Sequence, residues 1–363
     1  MPPIASKRKN GPATAPKTPA RRKVNLALQG GGAHGAFTWG VIDSLIEDGR
    51  IEIEGISGTS AGAINAIMIA DGLARGGPHE SSRRLADFWR AASRDGGLPA
   101  MQRTVIERLF SFVPLEGSPA QAWFDAVSRF WSPYDLNPLN INPLRDVIEH
   151  FVDFDAVRTF PGPPLFVSAT NVHSGRLRVF PRNAITADVV MASACLPMSF
   201  QAVEIEGVPY WDGGYMGNPA IFPFFDTTET EDVLLVQINP IERRTTPRSQ
   251  HAIVNRINEI TFNSSLLSEY RAINFVTRLI DQGQLPRGKG PGEYRRINLH
   301  RIALDSIFTN LTPDSKFDSD YDFFTMLRDG GRQAARSFLH DHFDDIGQRS
   351  TFDLREESQA ERA

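Results

Sequence analysis

Residues 24–62 read VNLALQGGGAHGAFTWGVIDSLIEDGRIEIEGISGTSAG, and the order of apolar and glycine-rich stretches in them decides the fold. VNLALQ (24–29) is a short apolar run of the kind that forms a buried strand. GGG follows, and from Ala33 to Asp48 apolar residues recur every three or four positions, as at Ala36, Trp39, Ile42 and Ile46. That spacing belongs to a helix, and Gly49 supplies its C-terminal stop. IEIEGISG (51–58) is a second strand, and TSAGAINAIMIADGL after it opens with small residues and turns apolar, as a buried helix does. Strand, glycine loop, helix, strand, glycine turn, helix makes two consecutive β–α units. The architecture that buries them is a parallel sheet covered by helices.

The chain has 363 residues, 41% hydrophobic and 23% charged, an ordinary globular balance. The single cysteine, Cys195, excludes an internal disulfide and fits a reducing compartment. No run approaches the ~18 apolar residues of a membrane span. The N-terminal stretch lacks the apolar segment of a secretory signal. The net charge of −4 hides an asymmetry. Residues 1–23 carry seven Lys or Arg and no acid, which leaves 32 basic against 43 acidic residues elsewhere. Rich in Pro, Ala and Thr, this segment reads as a disordered, solvated tail. A tether to anionic lipid or nucleic acid is the sharper alternative.

Downstream, residues 97–150 hold Phe110, Phe112, Trp123, Phe124, Phe130, Trp131 and Tyr134, and read as short helices and loops that cap the sheet. Residues 163–182 read as strand, turn and strand around Ser174-Gly175, and 186–200 as a helix up to Pro197. Residues 203–220 give a hairpin turning at Glu206-Gly207, followed by Asp212-Gly213-Gly214. DVLLVQINP (232–240) is another buried strand, 250–345 is mostly helical, with one long helix over 252–280, and the chain after about 346 is polar.

Three motifs carry chemistry. Gly30-Gly31-Gly32-Ala33-His34-Gly35 is a G-x-G-x-x-G at a strand-to-helix junction, where backbone N–H groups converge beside the positive end of a helix. It suits a dinucleotide pyrophosphate or an oxyanion. A dinucleotide site wants an acid at the end of the second strand, but that strand ends in Gly58-Thr59-Ser60, with Glu52 and Glu54 at its start. Gly58-Thr59-Ser60-Ala61-Gly62 is a G-x-S-x-G between a strand and a helix, the context of a nucleophile elbow. The 28 positions from Gly32 to Ser60 span one helix and one strand, so both loops emerge at the carboxyl end of the sheet. Asp212-Gly213-Gly214 is by itself an ordinary turn, although a serine nucleophile needs a base. The residues alone leave the choice of base open.

QGGGAHGA, GTSAG and DGG, in this order, resemble the patatin-like phospholipases, as do ATNVHSG (169–175) and ASACLP (192–197). The resemblance covers residues 24–240. It implies a three-layer α/β/α sandwich with a mostly parallel central sheet, and a serine-dependent lipid acyl hydrolase with no metal or other cofactor. Ser60 matches the nucleophile and Asp212 the general base of a Ser–Asp dyad. Gly30, Gly31 and Gly32 match the oxyanion-hole loop, and Gly35, Gly58, Gly62, Gly213 and Gly214 support the motifs. The implied partner is a phospholipid or other acyl ester, met in the cytoplasm or at a lipid surface; no nucleic acid is expected. The chain then divides into the basic tail (1–23), the catalytic core with a cap-like insertion (24–240), a mostly helical extension (241–345) and a flexible tail (346–363). One departure stands out: the family often has Arg or Lys where this chain has His34, whose charge near neutral pH is less certain. A contact made locally, at the start of the helix, is the expectation for it.

Two other readings compete. An α/β-hydrolase triad could draw its base from His251, His300, His340 or His342, all of which follow Asp212. A non-enzymatic lipid- or nucleotide-binding module could keep the loops without the chemistry. A metal hydrolase is set aside, since the chain has no H-E-x-x-H and no clustered Cys/His spacing.

Overall fold

The computed structural model describes residues 21–93 and 132–354, apart from 244, 291, 310, 312–314 and 317. Residues 1–20 and 355–363 and most of the aromatic insertion lie outside the described residues, but the start of the expected flexible tail is packed: Ile346 and Leu354 are buried, and Thr351 N donates to Leu299 O at 3.0 Å. β1 (Arg22–Leu28) begins inside the expected basic tail, where Arg22 and Lys23 already pair with Ile51 and Glu52 of β2 (Ile51–Gly58). Between them a 3-10 turn at Gly32–His34 leads into α1 (Gly35–Asp48). Gly49 ends α1 with φ 71°, its N–H on Leu45 O. After β2 come α2 (Ala61–Arg75) and α3 (Pro78–Ala91), and then the short helices α4 (Pro133–Leu136), α5 (Pro143–Phe151) and α6 (Phe154–Thr159).

β3 (Leu165–Asn171) and β4 (Leu177–Pro181) form the expected hairpin, with Gly175 at φ 64° in its turn. The next helix, α7 (Ala187–Ser193), stops four residues before Pro197. The chain leaves it early because Cys195 O accepts the backbone N–H of Asp212, at 2.8 Å. β5 (Val203–Ile205) and β6 (Val208–Asp212) turn at Glu206 and Gly207, both with positive φ, as a two-residue hairpin loop requires. α8 (Phe224–Thr227), β7 (Asp232–Gln237), α9 (Gln250–Asp281), β8 (Asn298–Ala303) and α10 (Tyr321–His342) complete the described elements.

The sheet runs β5-β6-β3-β2-β1-β7-β8, with β4 paired to β3 off this path. β3-β2, β2-β1, β1-β7 and β7-β8 are parallel, and the pairings among β3, β4, β5 and β6 are antiparallel. Strand alternation sorts the core into two faces. Leu26, Leu28, Leu234 and Val236 pack under α1, α2 and α10, while Ala27, Val233 and Leu235 meet Leu266, Tyr270 and Ile273 of α9. Helices on both faces of a mostly parallel sheet make the three-layer sandwich.

The part after residue 240 is no appendage. β8 extends the sheet beside β7, and α9 covers the second face. α10 packs along α1, with the Arg328 guanidinium 5.0 Å from the Trp39 ring centre and Arg332 paired to Asp43 at 3.3 Å. β8 escapes the helical expectation because its polar Asn298 and His300 face inward. Both bond Asp232, at 3.2 and 2.9 Å, so the strand shows no apolar alternation.

Candidate active site

Ser60 lies between the end of β2 and the start of α2 with φ 55° and ψ −123°, a backbone that a non-glycine residue rarely adopts. The surroundings over-determine it. Its N–H donates to Ser193 Oγ at 2.9 Å, and its carbonyl accepts from Ile64 N at 3.0 Å. The Thr59 hydroxyl donates to Gly217 O at 2.7 Å. Gly62 allows the first turn of α2 to lie against β1, since a Cβ there would stand 2.0 Å from Leu28 O. Such strain costs ~1–3 kcal/mol and persists only where its neighbours hold it.

The strand registers bring Asp212 to this turn. β4 and β6 both pair with Ala169 and Thr170, so they lie on opposite edges of β3. By the same logic β2, which pairs with Leu165–Val167, shares an edge with β6. β2 and β6 therefore run towards each other along one edge. Gly58 sits opposite Val167 and Asp212 opposite Ala169, two residues or roughly 7 Å along the strand.

Asp212 is fully buried. Its backbone is pinned by Cys195 O and by the Thr170 hydroxyl, which donates to Asp212 O at 2.8 Å. Oδ1 accepts from Gly214 N at 2.7 Å, and Oδ2 has no hydrogen-bond partner among the described residues. Burial pushes the carboxyl up to about 7, against the opposing pull of the Gly214 N–H and, more weakly, of the Ser60 hydroxyl. The hydroxyl is thus near enough to bear on the Asp212 charge, yet it does not meet full hydrogen-bond geometry with Oδ2. Catalytic hydrogen bonds are often this loose before substrate binds.

The glycine loop closes the other side. Gly30 packs on the turn so tightly that a Cβ there would lie 2.6 Å from Ser60 Cβ. The expectation that Gly30, Gly31 and Gly32 all offer N–H groups needs correction. Gly30 N–H already donates to Asn218 Oδ1 at 2.7 Å, and Gly30 O accepts from the Asn239 amide. Gly30 is an anchor. The N–H groups of Gly31 and Gly32 have no acceptor among the described residues, and both glycines line the cleft with Ser60.

That cleft opens to solvent beside Ser60. Ile64, Leu144, Leu196 and Phe262 form its apolar wall, and Glu259 and Lys316 are its charged residues. His34 does not supply a cation. Buried completely, it is pushed down to about 3, chiefly by burial and then by the Lys316 charge. Its Nε2 lies 2.7 Å from Ser315 Oγ, so its contact comes from a distant loop and not from its own helix.

The histidines of a triad are placed elsewhere. His300 bonds Asp232, the first residue of β7, at the opposite end of the parallel strands from Ser60. His342 pairs with Asp345 at 3.0 Å, beside Phe343, which stacks on Arg50 before β2; His340 lies in the same last turn of α10. His251 stands in the first turn of α9, and its side chain lies outside the described residues.

Several residues that shape the site were not singled out individually in the sequence. Ser193 holds the Ser60 backbone from within the ASACLP stretch, and Asn218 stands six residues past Asp212. Gln29 joins β1 to β7, its Oε1 accepting from Ile238 N and Asn239 N at 2.8 Å each. Asn218 and Gln29 could be suspected from their place beside the motifs; Glu259 and Lys316 could not.

The family model of the patatin-like phospholipases matches residues 26–225, a span that includes the glycine loop, Ser60 and Asp212. A comparison with curated protein sequences returns no match. Among solved structures, the chain is similar to VipD from Legionella pneumophila, with a TM-score of 0.43 and 17% identity over 89% of this chain and 68% of that one. It is also similar to ExoU of Pseudomonas aeruginosa, solved in complex with SpcU, with a TM-score of 0.35 and 15% identity over 90% of this chain and 53% of that one. The chain thus spans about half the length of ExoU.

Proposed function

The chain belongs to the patatin-like phospholipases, and from this we propose that it is a lipid acyl hydrolase working through a Ser60–Asp212 dyad. One observation carries the reading above the others. A fully buried carboxylate keeps one oxygen without a partner among the described residues, and the hydroxyl that bears on its charge belongs to the serine of the strained turn.

In the proposed reaction, Asp212 Oδ2 takes the Ser60 proton as Oγ attacks the ester carbonyl. The N–H groups of Gly31 and Gly32, beside the N-terminus of α1, receive the oxyanion; one such donor is typically worth ~10²–10³ in turnover. The alcohol leaves with the proton from Asp212, and an acyl-serine remains. Asp212 then deprotonates water, which attacks the acyl-serine and frees the fatty acid. The apolar cleft wall takes the acyl chain, and the burial of Asp212 raises its pKa towards the operating pH, where a general base is most effective.

Hydrolysis of p-nitrophenyl esters from butyrate to palmitate tests this. The wild type should act, Ser60→Ala and Asp212→Ala should fall to background, and His251→Ala should keep most activity. Retained activity in Asp212→Ala, or loss in His251→Ala, would move the base to a histidine. Silence of the wild type on every ester would favour a binding module.

A further inference from the structure

Two residues of one short segment, Ser193 and Cys195, each hold one half of the proposed dyad. Ser193 Oγ accepts the Ser60 N–H at 2.9 Å, and Cys195 O accepts the Asp212 N–H at 2.8 Å. Ser60 follows β2 and Asp212 ends β6, and no ladder joins these two strands among the described residues. Each is paired to β3 instead, so strand hydrogen bonds do not by themselves fix the gap between the two side chains. Besides the Thr59 bond to Gly217 O, the 193–195 segment bridges it. Ser193 also spends its hydroxyl in an uncommon way. It is the last residue of α7, where a serine often donates back to a carbonyl one turn earlier. Here it donates to no described residue and accepts from the Ser60 turn. The segment is firmly seated. Val189, Val190 and Ala192 lie in the core, and the Cys195 thiol donates to Gln201 O at 3.1 Å.

We propose that Ser193 is a positioning residue: with Cys195 it forms a two-point clamp that sets the gap between the Ser60 hydroxyl and Asp212 Oδ2. The inference rests on the hydrolase reading and adds to it a residue that touches no substrate, since Ser193 is fully buried and, unlike Ala194 and Leu196, does not line the cleft. Strain gives the clamp its purpose. Ser60 sits at φ 55° and ψ −123°, and a turn that loses its acceptor relaxes towards an ordinary backbone, carrying Oγ away from the carboxylate. The carboxylate registers that movement. Burial raises the Asp212 pKa, and against it pull the Gly214 N–H, which belongs to the Asp212 turn itself, and the Ser60 hydroxyl, the one described side chain that does so. The titratable groups that face Asp212 are Cys195, from the end of α7, and Tyr215, from the turn after β6. Burial pushes the thiol up to about 12 and raises the phenol as well, so both stay neutral near pH 7. β3 faces Asp212 with Ala169 and Thr170, which do not titrate. A displaced Ser60 therefore appears as a higher Asp212 pKa.

The test measures p-nitrophenyl ester turnover against pH on the full chain, with fluorophosphonate labelling of Ser60 as a second readout. Ser193→Ala removes the acceptor and Ser193→Thr keeps it. Ser168→Ala is the control, because it deletes a buried hydroxyl on β3 that has no partner among the described residues. Melting curves check that each variant folds. For Ser193→Ala the expected result is a fall of ~10–100-fold in kcat at pH 7, with KM within about twofold of the wild type. The midpoint of its kcat/KM profile should move above the wild-type value of about 7, and labelling should slow in parallel. Ser193→Thr should recover most of both effects, and Ser168→Ala should show neither. Where the threonine methyl overpacks, Ser193→Ala still decides, since a merely structural serine lowers the melting temperature and leaves the midpoint in place. A midpoint that stays in place in Ser193→Ala, or one that Ser168→Ala moves as far, overturns the clamp and leaves the hydrolase reading intact. A wild type that neither turns over esters nor labels at Ser60 removes the hydrolase reading, and the clamp with it.

Discussion

At the scale of single residues, the site trades stability for chemistry at two points. Ser60 holds a backbone that glycine adopts freely. Ser60→Gly should therefore melt higher than Ser60→Ala, by about 1 kcal/mol or more in unfolding free energy, although both remove the proposed nucleophile. Equal stabilities in denaturant titrations would mean that the turn is not strained. Asp212 is the second point. The unfolded chain ionises this carboxyl near 3.8, whereas the folded protein keeps the proton to about 7. Stability is therefore lost as pH rises through this window and stays low above it. Asp212→Asn should remove that loss, gaining nothing at pH 3.5 and of the order of 4 kcal/mol at pH 8. The wild-type kcat/KM should rise with pH through about 7, because the base must be ionised. A rate flat from pH 5 to 9 would contradict this. Ser60 was legible because its flanking glycines advertise a tight turn, whereas Asp212 was singled out only by the family resemblance. Lys316 and Glu259 were not legible, because a cation and an acid 57 positions apart announce nothing until folding joins them.

At the scale of elements, the clearest readings were those with a local cause. The span Ile51–Gly58 was legible from its apolar run and bounding glycines, and α9 from sustained helical spacing with no proline. β8 was hidden because Asn298 and His300 point inward to satisfy Asp232. α9 also carries a polar clamp that periodicity does not show. Glu269 accepts the N–H of Ile221 at 2.8 Å and that of Phe222, holding the segment that follows the Asp-Gly-Gly turn. Burial raises this carboxyl to about 8, although both N–H groups favour its charge, so near neutral pH it is largely a neutral acid that still accepts. Glu269→Gln should then cost little, and Glu269→Ala ~1–3 kcal/mol for the donors left unpaired. Chemical unfolding at pH 7 would show the difference; an equally large loss in Glu269→Gln would mean that the ionised form matters.

At the scale of the whole molecule, the glycine loop, the Ser60 turn and the Asp212 turn form one unit with the stretch after residue 240. The family match ends at 225, yet the second face of the sheet is covered by α9, its edge is extended by β8, and α10 lies along α1. The glycine loop is fixed from both sides of that boundary, by Asn218 and by the Lys316 segment. The two β–α units from Arg22 to Arg75, the hairpins within 165–181 and 203–212 and the strand at 232–237 were legible because their signals are local. The later elements were harder to read because their partners are distant in the chain. The account stands on one claim, that this assembly makes Ser60 a nucleophile with Asp212 as its base. Labelling with an alkyl fluorophosphonate, followed by intact-mass and peptide mapping, tests it most directly. The account predicts one adduct per chain, on Ser60, formed at least ~10²-fold more slowly in Asp212→Asn. No adduct, an adduct on another residue, or wild-type labelling in Asp212→Asn would contradict it.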